Sequence, residues 1–150
     1  YMCKDFTAIK RFIAAGIKVV MLSGDNFNRH MAEKRNIDFY CSRNKDLSLD
    51  KSRYLEVFNK KYNIAIDKMA FVGDDYFDLS IIRRCSSTFC PSDSPSIVKE
   101  NSHYVLKSKG GEGVLIELYD LFISKNWINE PTEESVADLD KKEISSKEME

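Results

Sequence analysis

Apolar positions recur with two different periods along the 150 residues, and segments of the two kinds alternate. From Asp5 to Ala15, Phe6, Ile9, Phe12 and Ile13 fall at near-helical spacing, and Gly16 follows where a helix commonly ends on glycine. Ile17 to Leu22 reads IKVVML, almost continuously apolar and β-branched at its centre, the pattern of a parallel strand covered on both faces. Ser23-Gly24 closes that strand, and Asp25 or Asn26 is placed to cap a helix reaching about Lys34. Ile37 to Cys41 predicts a short second strand, and Ser42 to Ser48 a polar connection. Asp50 and Lys51 open a helix with Leu55, Phe58 and Tyr62 on one face and Lys60 and Lys61 in its last turns. Ala70 to Val72 is a third strand, followed by a helix from about Tyr76 to Arg84, and Ser87 to Cys90 a fourth. Ser94-Pro95 starts a short helix to about Asn101. Tyr104 to Leu106 is a fifth strand, Gly110-Gly111-Glu112-Gly113 a tight loop, and Val114 to about Ser124 a helix with Leu115, Leu118 and Phe122 on one face. The alternation predicts an α/β fold with a mostly parallel sheet and helices on both faces.

Composition adds limits rather than identity. A chain that is 43% hydrophobic and 31% charged has the make-up of a soluble globular protein, and no apolar run approaches bilayer length. The net charge of −1 gives no footprint for nucleic acid. No secretory pattern opens the sequence, and Cys3, Cys41, Cys85 and Cys90 form no C-x-x-C pair. A reduced cytoplasmic thiol set is therefore expected, with the cysteines acting as small buried hydrophobes. Residues 129–150 hold eight acidic and three basic residues, net −5, and few large apolar ones. That predicts a division into an α/β domain over 1–128 and a disordered acidic tail over 129–150.

The chemistry concentrates in Met69 to Leu79, MAFVGDDYFDL. Asp74 and Asp75 fall at the carboxyl end of a buried strand, the edge at which ligands bind in open α/β sheets. Adjacent carboxylates there suit a cation such as Mg2+, which prefers oxygen ligands, although one Asp could instead cap the following helix. Ser23-Gly24 lies between a strand end and a helix start, a natural phosphate position. Lys51 supplies an ammonium at a third strand-to-helix junction. A hydroxyl, a lysine and a carboxylate-held cation can together bind a transferring phosphoryl group.

With VVMLSGD, DK opening a helix, AFVGDDYFDL and KGGEGVLIEL in that order, the chain resembles the haloacid dehalogenase superfamily over roughly Asp5 to Phe122. Within it, the chain is similar to the cap-less phosphatases of 3-deoxy-manno-octulosonate 8-phosphate and to the carboxy-terminal modules of acylneuraminate cytidylyltransferases. The resemblance implies a cap-less Rossmannoid three-layer sandwich and a Mg2+-dependent phosphomonoesterase whose partner is a small-molecule phosphate ester. It leaves a homo-oligomer open. It also implies that Ser23, with Gly24, binds the phosphoryl group, that Lys51 neutralises it, and that Asp74 and Asp75 hold the metal with Asp78 in support. Gly110, Gly111 and Gly113 match the family's substrate-side loop.

Two positions depart from the pattern. The family's DxDG motif, whose first Asp is the covalent nucleophile, has no counterpart in these residues, so the first strand is expected to be missing and the chain inactive by itself. A vacant place between the first and third predicted strands is the structural corollary. Asp25 stands where the sugar-acid phosphatases usually place Arg. A receiver domain would carry its acidic pair first and its lysine last, and a polymerase palm would carry GDD in a hairpin. The alternative retained is a noncatalytic module of the same fold, serving oligomerisation or regulation of a cytidylyltransferase.

Overall fold

A computed structural model describes residues 3–43 and 50–149. In chain order the elements are α1 (Cys3–Ala14), β1 (Val20–Ser23), α2 (Arg29–Lys34), β2 (Asp38–Cys41), α3 (Tyr54–Tyr62), β3 (Ala70–Val72), α4 (Leu79–Ile82), β4 (Ser87–Cys90), α5 (Ser96–Asn101), β5 (Tyr104–Val105), α6 (Val114–Ser124) and α7 (Glu133–Met149). Among the described residues every strand pairing is parallel, in two ladders, β1-β2 and β3-β4-β5. The expected α/β alternation is therefore present. The connection expected from Ser42 to Ser48 falls mostly outside the described residues. Two compact units divide the chain, one formed by 1–41 and 115–150 and the other by 42–114. This division differs from the expected one of 1–128 and 129–150, because α6 and α7 belong with the first forty-one residues.

In the first unit β1 pairs with β2 in the register Val20 to Asp38 through Ser23 to Cys41. Ile9, Ala32 and Ile37 are buried together, with Phe6, Met21, Phe39 and Leu115 packed around them. Phe12 sits edge-on to Tyr119 and Phe122, with ring centroids 5.5 and 5.3 Å away, which ties α1 to α6. Buried Asp5 accepts the Leu115 N–H at 3.0 Å, satisfying a donor at the start of α6. Helix α1 ends as predicted on Gly16, at φ +91°, with Ile17 N–H donating to Phe12 O and Gly16 N–H to Ile13 O. The same pair of bonds closes α2 at Asn36 and α6 at Asn126, both in the left-handed region.

The acidic segment expected to be a disordered tail is helical from Glu133 to Met149, which corrects the composition-based reading. Thr132 starts it, accepting the Ser135 N–H at 3.1 Å on its side-chain oxygen. Ion pairs join α7 to α1, Lys10 to Asp140 and Arg11 to Glu133. The acidic excess that argued against a packed core is what meets the basic residues of α1.

The second unit has strand order β3-β4-β5. Ile82, Cys90 and Val98 form its buried cluster with Phe71 and Leu79, and Phe89, fully buried, stacks on Tyr104 at 5.2 Å. Thr88, also fully buried, is bonded to His103, whose Nδ1 accepts the Thr88 N–H at 3.1 Å. The free cysteines Cys41, Cys85 and Cys90 are buried, as their reading as small hydrophobes expected.

Candidate functional site

Strand β3 ends in Val72, and Gly73 extends its pairing by donating to Phe89 O at 3.1 Å. A Cβ on Gly73 would lie 2.9 Å from both Cβ and Oδ2 of Asp78. Glycine is thus what allows the Asp78 side chain to fold back against the strand end. There Oδ2 of Asp78 accepts the backbone N–H groups of Asp74 at 3.0 Å and Asp75 at 3.1 Å. Its Oδ1 accepts a hydrogen bond from Lys51 Nζ at 2.8 Å. Both side chains are largely shielded, with 14% of Lys51 and 7% of Asp78 exposed, so the pair is far less screened than a surface ion pair.

Lys51 reaches this point because Asp50 caps the turn that presents it. Asp50 Oδ1 accepts the Ser52 N–H at 3.0 Å and its hydroxyl at 2.7 Å, and these bonds hold the Asp50 carboxyl below its ordinary value. The turn is a 3-10 segment, Lys51–Arg53, running into α3. Arg84, from the end of α4, donates to Ser52 O at 3.1 Å and pairs with Glu56, fixing the same turn from its other side.

In the GDDxxD stretch the capping reading is met by Asp75. Asp75 is the cap: it takes the Tyr76 N–H at 2.6 Å and forms a reciprocal capping box with Asp78, opening a 3-10 turn over Tyr76–Asp78 before α4. The helix expected from Tyr76 to Arg84 is thus split into a 3-10 turn and the short α4. Asp74 takes no part in the box. Burial, reinforced by the negative charges of Asp78 and Asp75, raises its carboxyl above the ordinary range against the opposing pull of Lys51.

The glycine loop also lies in this unit. Gly110 N–H donates to Asp93 Oδ1 at 2.9 Å, and a Cβ on Gly110 would lie 3.9 Å from Asp74 Oδ2. Gly111 and Gly113 adopt φ +76° and +92°, the left-handed backbone for which glycine is suited. Lys51, Asp74, Asp75 and Asp78 therefore come together, with Gly110 beside Asp74. Asp93 was not singled out by the sequence. It sits in Pro91-Ser92-Asp93-Ser94-Pro95, which reads as ordinary turn chemistry.

Ser23 and Gly24 belong to the other unit, at the carboxyl end of β1. Ser23 Oγ accepts the Asp25 N–H at 3.3 Å, and Asp25 Oδ1 accepts the Phe27 N–H at 2.9 Å. The expected cap at Asp25 or Asn26 is corrected. These residues form a turn, and α2 begins only at Arg29, with Asn28 at the cap position and no side-chain cap bond. A helix of six residues, Arg29–Lys34, has too short a dipole to carry the phosphate argument made for this junction.

A family model for haloacid dehalogenase-like hydrolases matches residues 45–118, the stretch that contains Lys51, the three carboxylates and the glycine loop. Over that stretch the chain is similar to the haloacid dehalogenase superfamily. It is 28% identical over 123 residues to the 3-deoxy-D-manno-octulosonate 8-phosphate phosphatase KdsC of Haemophilus influenzae, covering 80% of this chain and 66% of that protein. The solved cobalt-bound form of the Haemophilus influenzae phosphatase is similar at a TM-score of 0.74 and 27% identity, over 83% of this chain and 71% of the other. The Moraxella catarrhalis phosphatase, solved with a magnesium ion, a phosphate ion and a KDO molecule, shares the fold at a TM-score of 0.73 and 20% identity, over 83% and 70%. The fold is thus the cap-less Rossmannoid α/β type that the sequence implied.

Among the described residues no group of three or more His, Cys, Asp and Glu side chains is arranged to hold a metal ion. Asp74 and Asp75 still provide oxygen donors of the kind Mg2+ prefers, and the raised Asp74 carboxyl is a group that a cation would relieve. The donor set fits Mg2+ chemically, though it is sparse. No helix among the described residues is long and apolar enough to cross a membrane.

Proposed function

We propose that this chain carries the phosphate- and Mg2+-binding residues of a phosphatase similar to those of 3-deoxy-manno-octulosonate 8-phosphate, and that its natural ligand is a sugar-acid phosphate ester. The observation that supports this best is the Lys51–Asp78 pair, in which a shielded carboxylate at a strand end holds an ammonium in place and anchors the Asp74 and Asp75 amides. Lys51 neutralises phosphoryl oxygens. Asp78 fixes Lys51 and the peptide that bears Asp74, and Asp74, with Asp75 at its side, would hold Mg2+. When bound, that ion would supply charge neutralisation and a template for the phosphoryl group. Ser23 and Gly24, in the other unit, are assigned to phosphoryl binding by the resemblance alone.

These 150 residues contain no DxDG, so they bind the ester without hydrolysing it. The purified chain, mixed with Mg2+ and 3-deoxy-manno-octulosonate 8-phosphate, is expected to release no inorganic phosphate above background. It is expected to bind the ester saturably, and Lys51→Gln is expected to abolish that binding. Mg2+-dependent turnover lost in Lys51→Gln would overturn the binding-only part, and failure of the folded wild-type chain to bind the ester would overturn the assignment.

A further inference from the structure

We propose that Asp93 is a positioning residue that holds the Gly110–Gly113 turn beside Asp74, and that through this turn it controls binding of the organic part of the ester. The ligand half of the proposal rests on the phosphatase reading above, whereas the positioning half does not.

Two loops leave the carboxyl ends of neighbouring parallel strands, 91–95 after β4 and 106–113 after β5. Three bonds join them in succession. Leu106 N–H donates to Cys90 O at 2.8 Å, Ser92 N–H to Ser108 O at 2.9 Å, and Gly110 N–H to Asp93 Oδ1 at 2.9 Å. The first two are backbone bonds that continue the strand pairing, and any residue could make them. The third depends on a side chain, and it comes where the pairing would otherwise give out. The segment from Lys107 to Glu112 is exposed or half-exposed. A charge-assisted bond to an amide is about twice as strong as a neutral one, which suits it to tying down such a loop.

The same geometry assigns Gly110 a different task from Gly111 and Gly113. The Gly110 amide is committed to a carboxylate, so it is unavailable to an anionic ligand. A Cβ there would meet both Asp93 oxygens at 3.6 and 3.9 Å and Asp74 Oδ2 at 3.9 Å, all ordinary contacts. Asp93 thus anchors the loop at its entry, and the Glu112 N–H turns back within it to Lys109 O at 3.0 Å.

Amide hydrogen exchange in the whole chain separates the possibilities, using wild type, Asp93→Ala and Asp93→Asn, the last of which keeps an acceptor oxygen. Asp93→Ala is expected to accelerate exchange at Gly110 by about tenfold or more while leaving the β4 amides unchanged, as loss of one charge-assisted bond requires. It should weaken 3-deoxy-manno-octulosonate 8-phosphate by about tenfold on the same grounds and leave inorganic phosphate binding unchanged. Asp93→Asn should restore most of both effects. Unaltered Gly110 exchange in Asp93→Ala would overturn the positioning role. Accelerated exchange with unchanged ester affinity would overturn the link to the ligand. Accelerated exchange in a protein whose wild type binds no phosphate ester would uphold the positioning role and refute the phosphatase reading.

Discussion

Asp78→Ala removes the acceptor on which the site is assembled. The wild-type carboxylate takes two backbone amides, at 3.0 and 3.1 Å, and the Lys51 ammonium at 2.8 Å. Truncation leaves an ammonium whose side chain is 14% exposed facing a void, together with two amides without their acceptor. Removing one partner of a shielded ion pair costs about 3–5 kcal/mol, and the small exposure of Lys51 lets water recover part of this, so about 3 kcal/mol is expected. That is a large share of a total stability of about 5–15 kcal/mol. Lys51→Met should cost less, about 1–2 kcal/mol, because Asp78 keeps both amides. Urea unfolding followed by circular dichroism reads both variants. At a slope of about 2 kcal/mol per M, Asp78→Ala should lower the midpoint by about 1.5 M. A loss below about 0.5 kcal/mol, the scale of an exposed pair, would refute the claim that this pair organises the strand end. Equal losses for the two variants would refute the part assigned to the amides.

Other consequences follow from particular contacts. The Asp74 carboxyl is raised, so the folded chain holds that proton more readily than the unfolded chain, and stability falls as pH rises from the ordinary 3.8 through the raised value. Asp74→Asn should therefore raise the melting temperature at neutral pH and lose this advantage below pH 3.8, a sign that melting scans at several pH values would check. Gly111→Ala should destabilise by about 1–2 kcal/mol because φ is +76° there, whereas Gly110→Ala, which meets only ordinary contacts, should be nearly neutral in the same urea assay. The Arg11–Glu133 and Lys10–Asp140 pairs are partly exposed, so Lys10→Ala with Arg11→Ala, or high salt, should speed amide exchange in α7 and leave β4 unaffected.

Much of the site could be read locally, because its signals lie within a few residues of one another. Strand β4 and helix α6 begin and end where the pattern placed them, and the Asp50 cap and Gly16 stop are short-range signatures that tertiary context left intact. The supporting role of Asp78 is implied by the resemblance, and its fold back onto the Asp74 and Asp75 amides is seen only in the structure. What stayed hidden depended on long-range partners. Helix α7 looked unable to fold because its partners Lys10 and Arg11 lie more than a hundred residues earlier. Asp93 is 17 residues from the amide it holds, and nothing in its own turn announces that amide. The helices that end at Lys34 and Ser124, as the pattern predicts, close on left-handed Asn36 and Asn126, a conformation asparagine tolerates.

The central claim is that Asp74 is the residue at this strand end through which Mg2+ is bound. Calorimetric titration of Mg2+ into the chain and into Asp74→Asn tests it most directly. Because few oxygen donors are present, wild-type affinity should be weak but measurable, in the millimolar range, about −4 kcal/mol, and it should vanish in Asp74→Asn. Equal Mg2+ binding by the two proteins would contradict the account.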